Sequence, residues 1–359
     1  MKPPSSITER SRRLAAAALM VLAGCGPDAT TPSVPTTFSP EMSTAAGNAF
    51  SWRKLAGPPT GTIVNLSYSA HVPRSRYIYA GFFPDYGVGR LFRFDLETDR
   101  WAEISTSGWP SGKYRHFVID EVHGRLVTFW DGLGQAWAVG LEGGAWFPVG
   151  AAGEGQEYYE GYAFWNPVSK AVSRFAGYGF FTFKNTLWEL GTNGSWNLIP
   201  TAAPKPSPRF GSRAQTVDRA KLRAYFAEES RGAAGLSDDL WELDLTTLQW
   251  RNLIPLDASP FRRIGSGLTS LAPMSSDLLR FGGQEAVFGS SVHYNDVLLY
   301  RPGATDYVRV ATTGTPPEPR RHPGVFFDWA RQRVVVIGGA GPGGSFDDVW
   351  ELRLPRSSR

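Results

Sequence analysis

Cysteine is almost absent from this sequence, and histidine is scarce. Among the 359 residues there are one cysteine, Cys25, and five histidines. A single cysteine has no partner within the chain, so a disulfide-stapled scaffold is excluded. The histidines show neither a His-x-His nor a His-Glu-x-x-His spacing, and we expect no metal site from them. They are His71, His116, His123, His293 and His322.

A surplus of either charge is also lacking. The 37 basic and 33 acidic residues give a formal net charge of +4. Residues 1–24 carry +3 of this, because four basic residues stand there against one acid, which leaves about +1 for the remainder. The five residues are Lys2, Arg10, Arg12, Arg13 and Glu9. A nucleic-acid-binding protein keeps a large basic surplus, so that class is excluded.

Apolar runs long enough to span a membrane are missing near the N-terminus. Residues 14–22 are too short a run for that purpose, and they follow the basic residues in the arrangement of a signal peptide. The run ends in Leu22-Ala23-Gly24-Cys25, which resembles the lipobox of bacterial lipoproteins. The resemblance implies that residues 1–24 are removed and that acylated Cys25 attaches the protein to a membrane. Gly26 favours the outer membrane.

Residues 25–49 consist of this cysteine and a following segment rich in Pro, Thr, Ser and Ala. Such a segment cannot bury enough apolar surface to fold, and we predict a disordered tether. The predicted location is therefore the bacterial cell envelope, on an outer-membrane lipid anchor. Residues 50–359 remain as the folded part. Their many aromatic, Gly and Pro residues and the lack of long helical periodicity predict an all-β chain.

The folded part is built from a repeat. Its clearest copy, residues 238–250, predicts a short strand, a tight turn and a second strand that opens on Trp250. Five other segments match its first half, and they begin at Arg90, Gln135, Lys184, Asn295 and Asp347. An aromatic residue closes nearly every copy, at Trp101, Trp146, Trp196, Trp250 and Tyr307.

Each copy is preceded by an apolar run that most often ends in Ala-Gly or Gly-Gly, as in residues 278–283 and 334–339. Glycine at such a position allows a positive φ or a close approach of two backbones. A further strand-like segment lies before each run, and most of these segments end in an Asp or Asn turn. The turns are at Asp120, Asn166, Asp218 and Asp328. Four strands per unit, with a period near 50 residues, predict a six-bladed β-propeller.

The Gly-Gly pair, the Asp-Asp-x-Trp strand and the later tryptophan resemble kelch repeats, such as those of the galactose oxidase central domain. The resemblance covers residues 50–359 and implies a kelch-type propeller. The first segment, Trp52-Arg53-Lys54-Leu55, looks like an outer strand with no blade before it, and the last unit ends at Leu354 without an outer strand. We therefore predict that the N-terminal strand completes the sixth blade and closes the ring.

Oxidase chemistry is not expected from this resemblance. The galactose oxidase cofactor needs a cysteine crosslinked to a tyrosine, and the single cysteine here lies outside the propeller. The acid pairs Asp238-Asp239 and Asp347-Asp348 fit the kelch pattern, in which they bond nearby backbone amides, better than a calcium site. Nucleophile-elbow, P-loop and dinucleotide signatures are absent. We predict no cofactor, no metal and no catalytic residue.

A ligand-binding surface is the remaining prediction. Arginines recur near the starts of the predicted innermost strands, on the face where the wide loops of the blades open. Forked guanidinium groups beside aromatic rings suit a carboxylated or sugar-bearing ligand. The candidate residues are Arg115, Arg209, Arg263, Arg321, Tyr86, Tyr178, Phe180 and Glu160. The alternative is that these arginines bond blade carbonyls and cap the channel.

Non-catalytic binding of a glycan, an envelope polymer or a protein is the function we predict for this surface. The alternative is a carbohydrate-active enzyme, because six-bladed kelch propellers include a sialic-acid mutarotase. That chemistry needs an acid–base pair at the channel, and the candidates are Glu154, Glu157 or Glu160 near Arg209. A pure structural spacer, the third possibility, would show no concave pocket.

Overall fold

A computed structural model of the chain describes most of residues 49–355. The described ranges are 49–59, 66–83, 89–110, 116–129, 135–150, 161–179, 182–209, 213–230, 235–256, 258–287 and 290–355. The chain divides into residues 1–38 and 39–359, and every described residue belongs to the second unit. Cys25 and most of the predicted tether lie outside the described residues. Within them, no helix has the length and apolar character needed to cross a membrane.

Six antiparallel sheets, numbered as blades 1 to 6, hold nearly all of the described strands. Strands are given from the innermost outwards. Blade 1 consists of Leu66–His71, Tyr77–Phe83, Arg90–Asp95 and Arg100–Ile104. Blade 2 consists of Phe117–Asp120, Arg125–Phe129, Ala136–Gly140, Gly143–Gly150 and the short Thr106–Ser107. Blade 3 consists of Tyr162–Asn166, Ala171–Gly179, Thr182–Leu190 and Trp196–Ile199.

The second half of the ring repeats this plan. Blade 4 consists of Gln215–Asp218, Arg223–Ser230, Leu236–Asp244 and Trp250–Ile254. Blade 5 consists of Gly267–Ser270, Leu278–Phe281, Val297–Tyr300 and Val308–Val310. Blade 6 consists of Gly324–Asp328, Arg333–Ile337, Val349–Arg353, Phe50–Leu55 and the short Thr312–Thr313. Two small hairpins stand apart, Gln284–Val287 with Ser290–His293, and Ala340–Gly341 with Gly344–Ser345.

The innermost strands line a central channel. Each contacts the innermost strand of the next blade, and the series returns from blade 6 to blade 1, so the ring is closed. Two glycines allow the tightest of these approaches. A Cβ at Gly267 would overlap Val325 of blade 6, and a Cβ at Gly324 would overlap Ser69 of blade 1. The predicted all-β, six-bladed propeller is confirmed.

The N-terminal strand closes the ring as predicted. Phe50–Leu55 pairs antiparallel with Val349–Arg353, and Trp52 lies opposite Leu352. Trp52 is buried, and its ring centroid lies 5.1 Å from that of Phe281 in blade 5. Thr312–Thr313 pairs in parallel with the outer side of the N-terminal strand. This additional edge was not predicted, and it holds the N-terminal strand between two neighbours.

The apolar core is divided among the contacts between neighbouring blades. Trp250 illustrates the role of the repeated tryptophans, because its ring lies 4.6 Å from Phe175 in blade 3 and 5.4 Å from Phe226 in blade 4. Large aromatic side chains supply much of the apolar area that such blade contacts bury. The repeated glycine pairs also behave as predicted: Gly282 and Gly283 both have positive φ, 73° and 97°.

Candidate functional site

Arg209, predicted to face a ligand, is instead buried inside the ring. It is 0% exposed. Its Nη1 and Nη2 donate to the two carboxylate oxygens of Asp239 at 3.1 and 2.8 Å, and its Nε donates to the Ser207 carbonyl at 2.8 Å. Asp239 also accepts a hydrogen bond from Trp241 Nε1 at 2.7 Å. We call this buried arginine–aspartate pair a latch, because it joins the segment before an innermost strand to the third strand of the same blade.

A second latch lies in blade 5. Arg263, 2% exposed, donates to Asp296 Oδ1 at 2.5 Å and to the Gly282 carbonyl at 3.1 Å. Its guanidinium carbon lies 4.0 Å from the centroid of the Tyr294 ring. Burial alone would raise the pKa of Asp296, but the charges and hydrogen bonds of Arg263 and Arg309 outweigh it and hold that pKa below its usual range.

The latch of blade 6 uses Arg320 and not the predicted Arg321. Arg320 is 0% exposed and donates to both oxygens of Asp348 at 2.5 and 3.0 Å. Asp348 also accepts from Trp350 Nε1 at 2.7 Å. Arg321, the next residue, is half-buried and makes an isolated bridge with Ala340. The side chains of Arg209 and Arg263 are therefore buried and not exposed to a ligand, and both bond blade carbonyls, as in the alternative prediction.

The latch arginines also connect neighbouring blades in a repeated way. The backbone N–H of Arg209 donates to the Lys184 carbonyl in blade 3. The backbone N–H of Arg320 donates to the Tyr294 carbonyl, just before the third strand of blade 5. The bonds measure 3.0 and 2.9 Å. An asparagine beside each acceptor donates to a proline carbonyl before the arginine, at 2.9 Å both times. The Pro-x-Pro-Arg sequence thus builds the same junction twice.

Most other predicted site residues cannot be placed. Arg115, Tyr86, Phe180 and Glu160 lie outside the described residues, as do Glu154 and Glu157. Tyr178 is described at the end of the second strand of blade 3, half-buried, with its ring centroid 5.0 Å from that of Phe183. Of the acid pairs, Asp238 accepts from the Ser259 backbone N–H at 2.9 Å, as the repeat pattern predicts. Asp239 and Asp348 instead accept from arginine and tryptophan side chains.

Arg213 was not singled out from the sequence, yet it occupies the channel. It lies just before the innermost strand of blade 4. Its guanidinium carbon is 4.3 Å from the centroid of Tyr68 in blade 1, the blade directly opposite in the ring. Its Nη1 donates to the carbonyl of His322, before the innermost strand of blade 6, at 2.6 Å. The side chain therefore crosses the end of the channel where the innermost strands begin.

Further basic side chains lie near the two histidines at this end of the channel: the charges of Arg174 and Arg213 act on His116, and those of Arg213 and Arg321 act on His322. We call the described group of Arg174, Arg213, Arg321, His116 and His322 the basic mouth. Burial, together with the charges of Arg174 and Arg213, lowers the pKa of His116 to about 3. Burial also holds the pKa of His322 well below its usual value, together with the charges of Arg213 and Arg321. At neutral pH the arginines supply the positive charge, and the two imidazoles are neutral.

A cavity follows the innermost strands along the channel and continues past the residues where these strands end. Its volume is about 420 Å³, and we call it the axial cavity. All six blades line it, with residues from the ranges 69–74, 117–121, 163–165, 215–220, 268–273 and 325–329. These ranges belong entirely to the described residues. A concave space of this size suits a small ligand and contradicts the pure structural spacer.

The rim of the axial cavity carries charged and aromatic groups. Glu121, after the innermost strand of blade 2, forms an ion pair with Arg219, after that of blade 4. Trp329 follows the innermost strand of blade 6, is 46% exposed, and has the Arg74 guanidinium 5.5 Å from its ring centroid. Among the residues the structure describes, no group of three His, Cys, Asp or Glu side chains could hold a metal ion.

The comparison with solved structures supports the fold. No family model matches the chain. The solved structure of YjhT, a β-propeller, superposes with a TM-score of 0.62 and 13% identity, covering 85% of this chain and 98% of that one. At this identity the likeness shows the fold alone.

Two curated proteins match part of the sequence. The Dynein alpha chain, flagellar outer arm, of Chlamydomonas reinhardtii is 27% identical over 165 residues, which is 44% of this chain. Multiple epidermal growth factor-like domains protein 8 of Rattus norvegicus is 32% identical over 136 residues, or 38% of this chain. The matches span 3% and 5% of those much longer proteins. The fold and the comparisons together show that this chain forms a six-bladed β-propeller.

Proposed function

We propose that this propeller is a non-catalytic binding protein that recognises a carboxylated sugar of a glycan or envelope polymer at the basic mouth. The observation that carries the proposal is the position of Arg213, which reaches across the channel from blade 4 to Tyr68 and His322. A guanidinium that lies across the channel end can attract and bond a carboxylate that enters there. Arg174 and Arg321 add positive charge around it.

The chemistry of the described residues supports binding more than proton transfer. A general base works best when its pKa lies near the working pH. Burial and the neighbouring cations hold the pKa of His116 at about 3, so its imidazole is a poor proton acceptor at neutral pH. The alternative, a carbohydrate-active enzyme of the sialic-acid mutarotase kind, depends on Glu154, Glu157 or Glu160, which lie outside the described residues. Anomer equilibration of a carboxylated sugar, followed by NMR, would detect that activity.

Binding should require both the ligand's carboxylate and Arg213. Oligosaccharides that end in a uronic or sialic acid are expected to bind, and their neutral counterparts should bind far less. Arg213→Gln should weaken binding by about 30-fold or more, since removing one partner of a desolvated charge pair costs about 2 kcal/mol or more. Calorimetric titration at two salt concentrations measures both effects.

Arg301→Gln is the matched control, because the Arg301 side chain is 57% exposed on blade 5. It should bind like the parent. Arg209 and Arg263 are unsuitable for this test, since they are latches whose loss disturbs the blades. Equal binding of acidic and neutral sugars, or full affinity in a folded Arg213→Gln protein, would contradict the proposal.

We also propose that the propeller is of the kelch type and belongs to an outer-membrane lipoprotein. The repeated Gly-Gly and Asp-x-Trp pattern supports the first part, and the segment before Cys25 supports the second. The mature protein should begin at Cys25 and carry the mass of attached acyl chains in intact-mass analysis. Cys25→Ser should abolish that modification. A mature chain that begins elsewhere without lipid would exclude the anchor.

A further inference from the structure

None of the basic-mouth residues lines the axial cavity, which has a chemistry of its own. The innermost strand of every blade pairs with its own sheet on one side only, so its other edge faces the channel. Backbone N–H and C=O groups on such an edge need partners. Some are bonded by neighbouring side chains: the Ser270 N–H donates to Thr216 Oγ1, and Gln215 Nε2 donates to the Ala163 carbonyl, each at 3.1 Å.

Gln215 leaves one strong acceptor unused. Because the Ala163 carbonyl can only accept, its bond to Nε2 fixes the orientation of the Gln215 amide. The amide oxygen Oε1 is then buried with no hydrogen-bond partner. Gln215 lines the axial cavity. A buried acceptor without a donor is costly, so a ligand in this cavity that offers a hydroxyl or N–H group would gain from meeting it.

Aromatic faces line the same space. Trp165 belongs to blade 3 and Trp329 to blade 6, which stands opposite blade 3 in the ring, and both residues line the cavity. Trp329 is 46% exposed, which is a large apolar area to leave in water. Phe326 adds a third ring. A ligand with apolar C–H faces would cover these rings, as it does at many small-molecule sites.

The charges at the rim narrow the ligand class. Glu121 and Arg219 neutralise one another as an ion pair, and the third charged residue of the lining, Arg74, lies over the Trp329 ring. A purely apolar ligand would leave Gln215 Oε1 and the strand edges unpaired. A ligand with apolar faces and several hydroxyl groups meets these conditions without a charge of its own.

We propose that the axial cavity binds an uncharged sugar ring, which stacks on the tryptophan faces and donates a hydroxyl hydrogen bond to Gln215 Oε1. The volume of about 420 Å³ accommodates a sugar of one or two rings. This site does not depend on Arg213 or on the proposed acidic ligand.

The test uses the full protein and a panel of neutral methyl glycosides of glucose, galactose, mannose and N-acetylglucosamine. At least one should bind, as followed by calorimetry and by quenching of tryptophan fluorescence. Trp329→Ala and Gln215→Leu should each weaken that binding by about tenfold, through the lost stacking and the lost hydrogen bond. The control is Phe147→Ala, which removes an aromatic side chain that is also exposed, 43%, but lies on the outer strand of blade 2.

Disaccharides that contain the same sugars show whether the ligand is a free sugar or the end of a glycan. Tighter binding of a disaccharide indicates the end of a glycan, and binding of the single ring alone indicates a free sugar; either result supports the proposal. No binding by any member of the panel up to about 10 mM would overturn it. Binding that stays undiminished in both folded cavity variants would overturn it as well.

Discussion

A chain that begins at residue 60 should be insoluble or should unfold at a much lower temperature than the full protein. It lacks Phe50–Leu55, so the strands Val349–Arg353 and Thr312–Thr313 both lose their partner. The exposed edge of blade 6 would invite pairing with other chains. The burial of Trp52 is lost too, and replacing one buried tryptophan costs roughly 3–5 kcal/mol, against a typical stability of about 5–15 kcal/mol.

Thermal unfolding and sedimentation of the shortened chain measure this effect. Deletion of residues 26–45, which lie within the predicted tether, is the control and should leave the melting temperature unchanged. Trp52→Ala tests the contact between the N-terminal strand and its neighbours without removing a strand, and it should lower stability by the amount just given while the protein remains soluble. A shortened chain that melts like the parent would show that the ring closes without its N-terminal strand.

Arg333→Met should destabilise the protein by about 3–5 kcal/mol, because it leaves buried carboxylates without their cation. Arg333 is 2% exposed and donates to Asp328 at 2.9 Å, to Glu351 at 2.7 Å and to Asp99 of blade 1 at 2.6 Å. It therefore joins blade 6 to blade 1. Denaturant unfolding at neutral pH measures the loss. Arg301→Met, on an exposed side chain, should stay within about 0.5 kcal/mol of the parent.

The hydrogen bonds around Arg333 also predict how the stability of the protein depends on pH. Burial alone would raise the pKa of Glu351, but hydrogen bonds from Arg53 and Arg333 outweigh it, and the pKa falls below its ordinary value of 4.5. An acid with a lowered pKa stabilises the fold above its ordinary pKa, and that contribution disappears as the pH falls through the folded value. The parent should therefore lose stability below about pH 4.5. Arg333→Met should lose less over the same interval, and an equal loss would exclude this linkage.

The fold could be predicted from the sequence because its repeat is local. Each unit carries its own alternation of apolar and polar residues, its own turn residues and its own tryptophan. The strand at Trp52 has no blade before it, and the last unit lacks an outer strand, so the two complete each other. The added strands Thr106–Ser107 and Thr312–Thr313 were missed, since two-residue pairings depend on the path of a loop and leave no periodicity. They lie on the outer edges of blades 2 and 6.

The site was predicted less well. Arg320 and Arg321 are adjacent and chemically identical, so composition cannot separate them, although the shared Pro-x-Pro-Arg sequence at Arg209 and Arg320 could have. Partners such as Asp348, 28 residues after Arg320, become visible only once the blade is folded. The axial cavity did leave a signal: Glu121, Arg219 and Trp329 each directly follow the Asp of a turn. That regularity marks one end of the channel.

The position of Arg213 determines how the two proposed sites relate to each other. Its side chain lies between Tyr68 and His322 at the end where the innermost strands begin, and none of the basic-mouth residues lines the axial cavity. If both sites bind as proposed, an acidic sugar and a neutral sugar would therefore occupy the protein together. Titration with one sugar in the presence of the other should then show no competition.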